Sequence, residues 1–142
     1  MPKDYGLACP IAKSLELVGE RWMLLIVRDL LGGPAKFHDL QTSLGVAPGI
    51  LSDRLKILED HAIIESALYS EHPPRAEYSL TERGRELRTV VAALAAWGSR
   101  HVHRQTALVH DACGTPVEVG YFCAHCDRRV RAVRLKQNTK PA

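Results

Sequence analysis

Residues 36–61, KFHDLQTSLGVAPGILSDRLKILEDH, constrain this chain more than any other stretch. Leu40 and Leu44 are spaced i, i+4, so they line one face of a short helix, and Gly45 stops it. Ala47-Pro48-Gly49 makes a turn that opens a second helix, because a proline at the first helical position has no hydrogen bond to lose. In that helix Leu51, Leu55 and Leu58 recur at i, i+4, i+7 and predict a buried stripe. Gly49, Ser52, Asp53 and Lys56 repeat at i, i+3, i+4, i+7 on a different, largely polar face. Two short helices around a tight turn, the second showing small and polar groups, predict a helix-turn-helix. Small residues at the start of the second helix let its backbone approach the floor of a groove. An ordinary helical hairpin would use the same residues, and the flanking segments favour the first reading.

Upstream, Cys9-Pro10 opens a helix with Ile11, Leu15 and Val18 at i, i+4, i+7. Cys9 stands near its N-terminus, where the helix dipole favours a thiolate, which makes it a candidate redox or electrophile sensor. The alternative is a small residue packed at a helix start. Residues 20–31, ERWMLLIVRDLL, predict a second helix that is apolar almost all round, with Arg28 and Asp29 as exceptions. Such a helix is buried on all sides, in the core or against a partner chain. Gly32-Gly33-Pro34 terminates it, and Lys36 is placed to meet a phosphate.

Downstream, residues 63–69 predict a strand and residues 76–80 its partner, joined by the loop Ser70-Glu71-His72-Pro73-Pro74-Arg75. A hairpin directly after a helix-turn-helix is a wing, and His72 and Arg75 are the residues to carry its tip to phosphate or the minor groove. Thr81 reads as the N-cap of a last long helix through about Gly98, with Leu87, Val90, Val91, Leu94 and Trp97 at helical spacing. That stripe is longer than one small core uses. Pairing with a second subunit is its natural use, and a two-fold dimer reads a pseudo-palindromic site.

At 142 residues the chain predicts one domain plus an appendage, divided as residues 1–103 and 104–142. With 46% hydrophobic residues it has material for a core. The start, Met1-Pro2-Lys3-Asp4-Tyr5, leads into no apolar leader, and the longest apolar run, residues 22–27, is too short for a membrane. The expectation is a soluble cytoplasmic protein without a membrane partner. Residues 1–103 carry 12 Lys+Arg against 13 Asp+Glu, a net of −1; residues 104–142 carry 7 against 3, a net of +4. DNA binding therefore rests on where individual charges sit, since the main domain has no basic excess. No phosphate-cradling glycine loop and no nucleophile signature appears, so an enzyme is not expected.

The ordered signatures resemble the HxlR family of bacterial winged-helix transcriptional regulators, relatives of the MarR regulators. They are Cys9-Pro10-Ile11, Glu20-Arg21-Trp22, Arg28-Asp29-Leu30-Leu31, Lys36-Phe37-His38-Asp39-Leu40, Ile50 to Lys56, Pro73 to Thr81, and Trp97-Gly98. The likeness runs through residues 7–100 in unbroken order. It implies a homodimer in which the second helix of the pair enters the major groove and the wing flanks it. By position it implies a DNA-contacting set of Lys36, Ser52, Asp53, Arg54, Lys56 and Arg75. Arg54 falls close to the Leu51/Leu58 side, so a structural ion pair, with Asp60 as the partner in view, is its other reading. Some members of the family sense electrophiles or oxidants through a cysteine at the place of Cys9, which adds a redox or small-molecule signal to the expectations.

Beyond residue 103 the chain departs from that minimal pattern. His110-x2-Cys113, nine residues, then Cys123-x2-Cys126 predict two knuckles separated by a β-like stretch at Val117, Val119 and Tyr121. Three thiolates and one imidazole suit a closed, structural tetrahedral Zn²⁺ site, with His125 as an alternative fourth ligand. A hairpin of reduced cysteines that keeps a ribbon's shape without metal is the other reading. Arg128, Arg129, Arg131, Arg134, Lys136 and Lys140 form a basic run suited either to DNA backbone or to a solvated C-terminus; residues 137–142 read as a solvated end, and the arginines fit both readings. The sequence thus predicts a mainly α fold with a small β wing, a winged helix-turn-helix followed by a zinc-ribbon-like appendage. Its predicted function is homodimeric, sequence-specific DNA binding in transcriptional regulation, with a winged-helix protein-interaction module as the rival.

Overall fold

In the computed structural model, which describes residues 4–106 and 108–136, the leucine stripe lies where its spacing predicts. Leu51, Leu55 and Leu58 of α4 (Pro48–Asp60) are buried, together with Leu40 of α3 (Phe37–Leu44) and Met23, Ile26, Val27 and Leu30 of α2 (Met23–Leu31). Before them runs α1 (Pro10–Val18), begun by Pro10 after an extended Cys9 and ended at Gly19. The chain divides into two compact units, Met1–Arg88 and Thr89–Ala142. Residues 1–3 and 137–142, with Lys140 and the reading of a solvated end, lie outside the described residues.

Two helix expectations change. The second helix begins at Met23, because Trp22 is left-handed at φ 80° and breaks the helical path that residues 20–31 suggested. Within one chain it is not covered all round, for Leu25 is exposed, which leaves the partner-chain reading of that face open. In α1 the buried residues are Ala12 and Val18, while Ile11 and Leu15 of the expected stripe face outward.

The wing is a three-stranded antiparallel sheet in the order β1-β3-β2, from β1 (Ala35–Lys36), β2 (Ile64–Glu71) and β3 (Pro74–Leu80). Ile64 pairs with Leu80, both buried, which seats the wing on the helical core. The strands run further than their sequence suggests. Ser70 pairs with Arg75 and Glu71 with Pro74, so the turn shrinks to His72 and Pro73, joined by a cis peptide. Pro74 is tolerated because it opens its strand, where a missing N–H costs least. Between Leu68 and Ser70 the register shifts, and Tyr69 is left without a partner across the ladder.

Thr81 is a cap, as its position predicts, but of a one-turn helix, α5 (Glu82–Arg85). Its hydroxyl accepts from the Gly84 amide at 3.1 Å and donates to the Ala62 carbonyl at 2.6 Å. A Cβ on Gly84 would stand 2.0 Å from the Ile63 carbonyl oxygen, so only glycine lets this turn lie against the start of the wing. The single long helix expected from residue 81 onward is therefore divided: α5 ends at Arg85, Glu86 and Leu87 form a turn, and α6 (Arg88–His101) follows.

In the second unit α6 buries no residue, and Leu94 and Trp97 are 54% and 58% exposed. Two hairpins follow. One is closed by the Val109–Pro116 bridge and the other pairs β4 (Tyr121–Cys123) with β5 (Arg128–Val130). Of the expected β-like stretch only Tyr121 lies in a strand. The boundary between the two units falls between Arg88 and Thr89, so nearly all of α6 clusters with the extension.

Two substitutions on α4 check its orientation by chemical denaturation. Leu51→Ala should lower stability by about 2–5 kcal/mol, the cost of a core cavity. Its neighbour Ser52→Ala, on the exposed side, should stay within about 0.5 kcal/mol.

Candidate nucleic-acid interface

The exposed side of α4 follows from its buried side. With the three leucines turned inward, Gly49, Ser52, Asp53 and Lys56 are all exposed, as their spacing predicts. The turn before them is made by Gly45, left-handed at φ 62° with its amide on the Gln41 carbonyl at 2.8 Å, and by Pro48 at the first position of α4. A Cβ on Gly49 would meet nothing within 4 Å, so nothing inside the chain requires a glycine there.

Arg54 does a different job from its neighbours. Its guanidinium pairs with Glu20 at 3.1 Å and donates from Nε to the Arg21 carbonyl at 3.1 Å, with the two charged side chains only 22% and 29% exposed. The anticipated partner Asp60 lies six residues on, about 120° round the helix by the 3.6-residue repeat, and faces elsewhere. Arg54 therefore ties α4 to the segment between α1 and α2. The far end of α4 is held too, where Ser66 Oγ donates to Glu59 at 2.5 Å. Likewise Asp29 of α2, paired with Arg28 at 2.7 Å, accepts from Ser43 Oγ of α3 at 2.6 Å.

Lys36, exposed at the end of β1 where α3 begins, has its ammonium 4.6 Å from the centre of the Tyr69 ring. That cation–π contact joins the entrance of the helix-turn-helix to the wing. Tyr69 escapes sequence reasoning, for nothing in the local alternation announces the bulge that frees it. Beside it a groove is lined by Phe37, His38, Leu68, Tyr69, Arg75 and Tyr78. His72 and Arg75 are exposed at the wing's end, Arg75 in β3 and not in a loop. The Tyr78 phenol is pushed above its ordinary pKa, first by burial and then by the nearby Glu59 charge.

Cys9 is a free, half-exposed thiol at the start of α1, its carbonyl accepting the Lys13 amide at 2.9 Å. The segment before it is pinned across the helix, as Lys13 Nζ reaches both Asp4 and Glu16 at 3.1 Å. These bonds hold the Asp4 carboxyl below its ordinary value, the Gly6 amide contributing most and Lys13 next.

In the second unit the expected ligands form two pairs. His110 Nδ1 lies 3.3 Å from Cys113 Sγ, and Cys123 and Cys126 stand at the two ends of the turn between β4 and β5. Among the described residues no three His, Cys, Asp or Glu side chains gather into one metal-holding group, so the four expected ligands do not form a single cluster. Both Cys113 and Cys123 are held below the ordinary thiol pKa, the first mainly by Thr115 and the second mainly by Cys126. Arg128, Arg129, Arg131, Arg134 and Lys136 are all exposed.

A tri-helical core whose last two helices form a helix-turn-helix, followed by a β-hairpin wing, defines a winged-helix protein. Residues 17–106 match the HxlR-like helix-turn-helix family, and the chain belongs to that family. It is 36% identical over 135 residues to the uncharacterised HTH-type transcriptional regulator Rv3095 of Mycobacterium tuberculosis, covering 92% of this chain and 85% of that one. Among solved structures it is similar to PA1607, described as a putative transcription factor, with a TM-score of 0.78 at 30% identity over 92% of this chain and 96% of the other. The redox regulator HypR in its oxidised form matches with a TM-score of 0.61 at 29% identity, over 66% of this chain and 97% of its own. The protein is accordingly a transcriptional regulator of the helix-turn-helix type. Among the described residues, no helix is long and apolar enough to cross a membrane.

Because Arg54 braces α4 from inside the fold, Arg54→Gln should lower stability by about 1–3 kcal/mol, leaving a half-buried carboxylate unpaired. In a double-mutant cycle with Glu20→Gln the two losses should fall short of additive. Lys56→Gln, on the open face, should leave the unfolding transition within about 0.5 kcal/mol.

Proposed function

We propose that this regulator acts as a homodimer on a pseudo-palindromic DNA site, with α4 in the major groove and the wing along the flanking backbone. The exposed face of α4 carries this reading. Gly49, for which the fold has no use of its own, opens the helix where the backbone must come closest to base edges. Ser52, Asp53 and Lys56 follow on the same face, with the hydroxyl and the ammonium suited to phosphate and base contacts. Lys36, steadied by Tyr69, and Arg75 and His72 on the wing reach backbone on either side. Arg54 shapes this surface from behind through Glu20.

The homodimer is supported by apolar side chains that a single chain leaves in water: Val90, Leu94 and Trp97 on α6, and Ile11 and Leu15 on α1. Patches of this kind mark interaction surfaces. A redox or electrophile signal read at Cys9 is supported by the half-exposed thiol at a helix start and by the likeness to HypR.

Fluorescence anisotropy on DNA from the intergenic region beside the gene, over a salt series and against random DNA of equal length, tests the reading. Specific binding should exceed random binding by ~10³ or more. Lys56→Glu should abolish that preference with the fold intact. Gly49→Ala should leave the protein as stable or up to about 1 kcal/mol more so, since alanine suits a helix better, yet weaken the specific complex. Equal, salt-labile binding to both DNAs would instead mean that only the basic tail makes contact, and would turn attention to a protein partner for α4. Light scattering on the eluting protein should show a dimer that Leu94→Glu converts to monomer.

A further inference from the structure

The extension after residue 103 does not hold itself together by packing. Among its described residues, 104–106 and 108–136, none is buried, and Val109, Tyr121, Phe122 and Leu135 stand in solvent. A stretch this short cannot enclose a core, and chains of such size depend on a disulfide, a metal or a partner. Its three cysteines are all free thiols.

What the extension does have is two hairpins of one build. In the first, the His110 amide donates to the Thr115 carbonyl at 2.9 Å and the Val117 amide to Leu108 at 3.2 Å. The turn is His110-Asp111-Ala112-Cys113, with the amides of Cys113 and Gly114 both on the His110 carbonyl, and Gly114 left-handed at φ 67°. In the second, Cys123 pairs with Arg128 across the turn Cys123-Ala124-His125-Cys126, and Asp127 is left-handed at φ 48°. Each turn thus carries two soft donors three residues apart, followed by a left-handed residue.

We propose that these two turns are the halves of one structural zinc site, with His110, Cys113, Cys123 and Cys126 as its ligands, and that the ion closes the turns on each other. The first pair already converges, its ring nitrogen 3.3 Å from its sulfur. Because the pairs do not gather into one group in the chain alone, binding and ordering of the extension are one event, as in other small metal-folded modules. Three thiolates and an imidazole fit tetrahedral Zn²⁺, and four protein ligands leave no position for a substrate. Each of the three thiols gives up its proton to solvent as its sulfur binds the metal.

The test is the metal content of the purified full-length protein after dialysis, with X-ray absorption at the zinc edge. One tightly held zinc per chain is expected, with three sulfurs at about 2.3 Å and one nitrogen at about 2.0–2.1 Å. Cys123→Ser, Cys126→Ser and His110→Ala should each lose most of the zinc, whereas Cys9→Ser and His125→Ala should keep it. A strong chelator should open residues 104–136 to protease and leave the first unit uncut. Protein that neither carries zinc nor takes it up on titration overturns the proposal. So does zinc that survives Cys123→Ser, or an absorption spectrum with two sulfurs or fewer.

Discussion

Burial of Leu51, Leu55 and Leu58 sets the roll of α4 about its axis, and the face that α4 leaves exposed follows from that roll. A helix has one face for each angle, so turning three leucines inward necessarily turns Gly49, Ser52, Asp53 and Lys56 outward. A roll set by apolar contacts alone would tolerate some slippage, since dispersion and burial have little directionality. The Arg54–Glu20 pair and the Arg21 carbonyl remove that freedom at one end of α4, and the Ser66–Glu59 bond does so at the other. The exposed face of α4 is thus stiffened from behind by polar bonds that take no part in it.

The wing is attached to the same core by a second set of polar bonds. Thr81 both caps α5 and donates to the Ala62 carbonyl, and Gly84 admits the turn against Ile63. A wing anchored at its base presents its far end, His72 and Arg75, at a defined distance from α4. The Lys36–Tyr69 contact then links the wing to the entrance of the helix-turn-helix directly. In the low-charge setting of this domain, where acidic residues slightly outnumber basic ones, placement of a few cations matters more than their number.

The two units solve the problem of stability differently. The first encloses a core in which helices and sheet share one set of apolar side chains. The second has no enclosed core of its own: its helix leaves Leu94 and Trp97 in solvent, and its hairpins bury nothing among the described residues. Such a unit has to gain its stability from something it binds, which is the role proposed above for a second copy along the helix and a metal ion at the two turns. Assembly and metal supply would then both bear on how the regulator is presented to DNA.

Sequence alone determined the helix pair, its leucine stripe and its open polar face, because a period of 3.6 residues names the buried side of a helix without reference to any neighbour. It also determined the cap at Thr81, the start of α1 at Pro10 and the pairing of donors within each turn of the extension, all matters of a few adjacent residues. Tertiary structure alone decided that Glu20 and not Asp60 answers Arg54, that Trp22 delays α2, that α5 and α6 are separate, and that Tyr69 leaves the ladder to meet Lys36. Each of these depends on groups that meet only after folding, or on a backbone angle imposed by such a meeting. Local periodicity carries the face of a helix. The partner of a charge, the bulge in a strand and the break between two helices are settled by whatever the fold brings alongside.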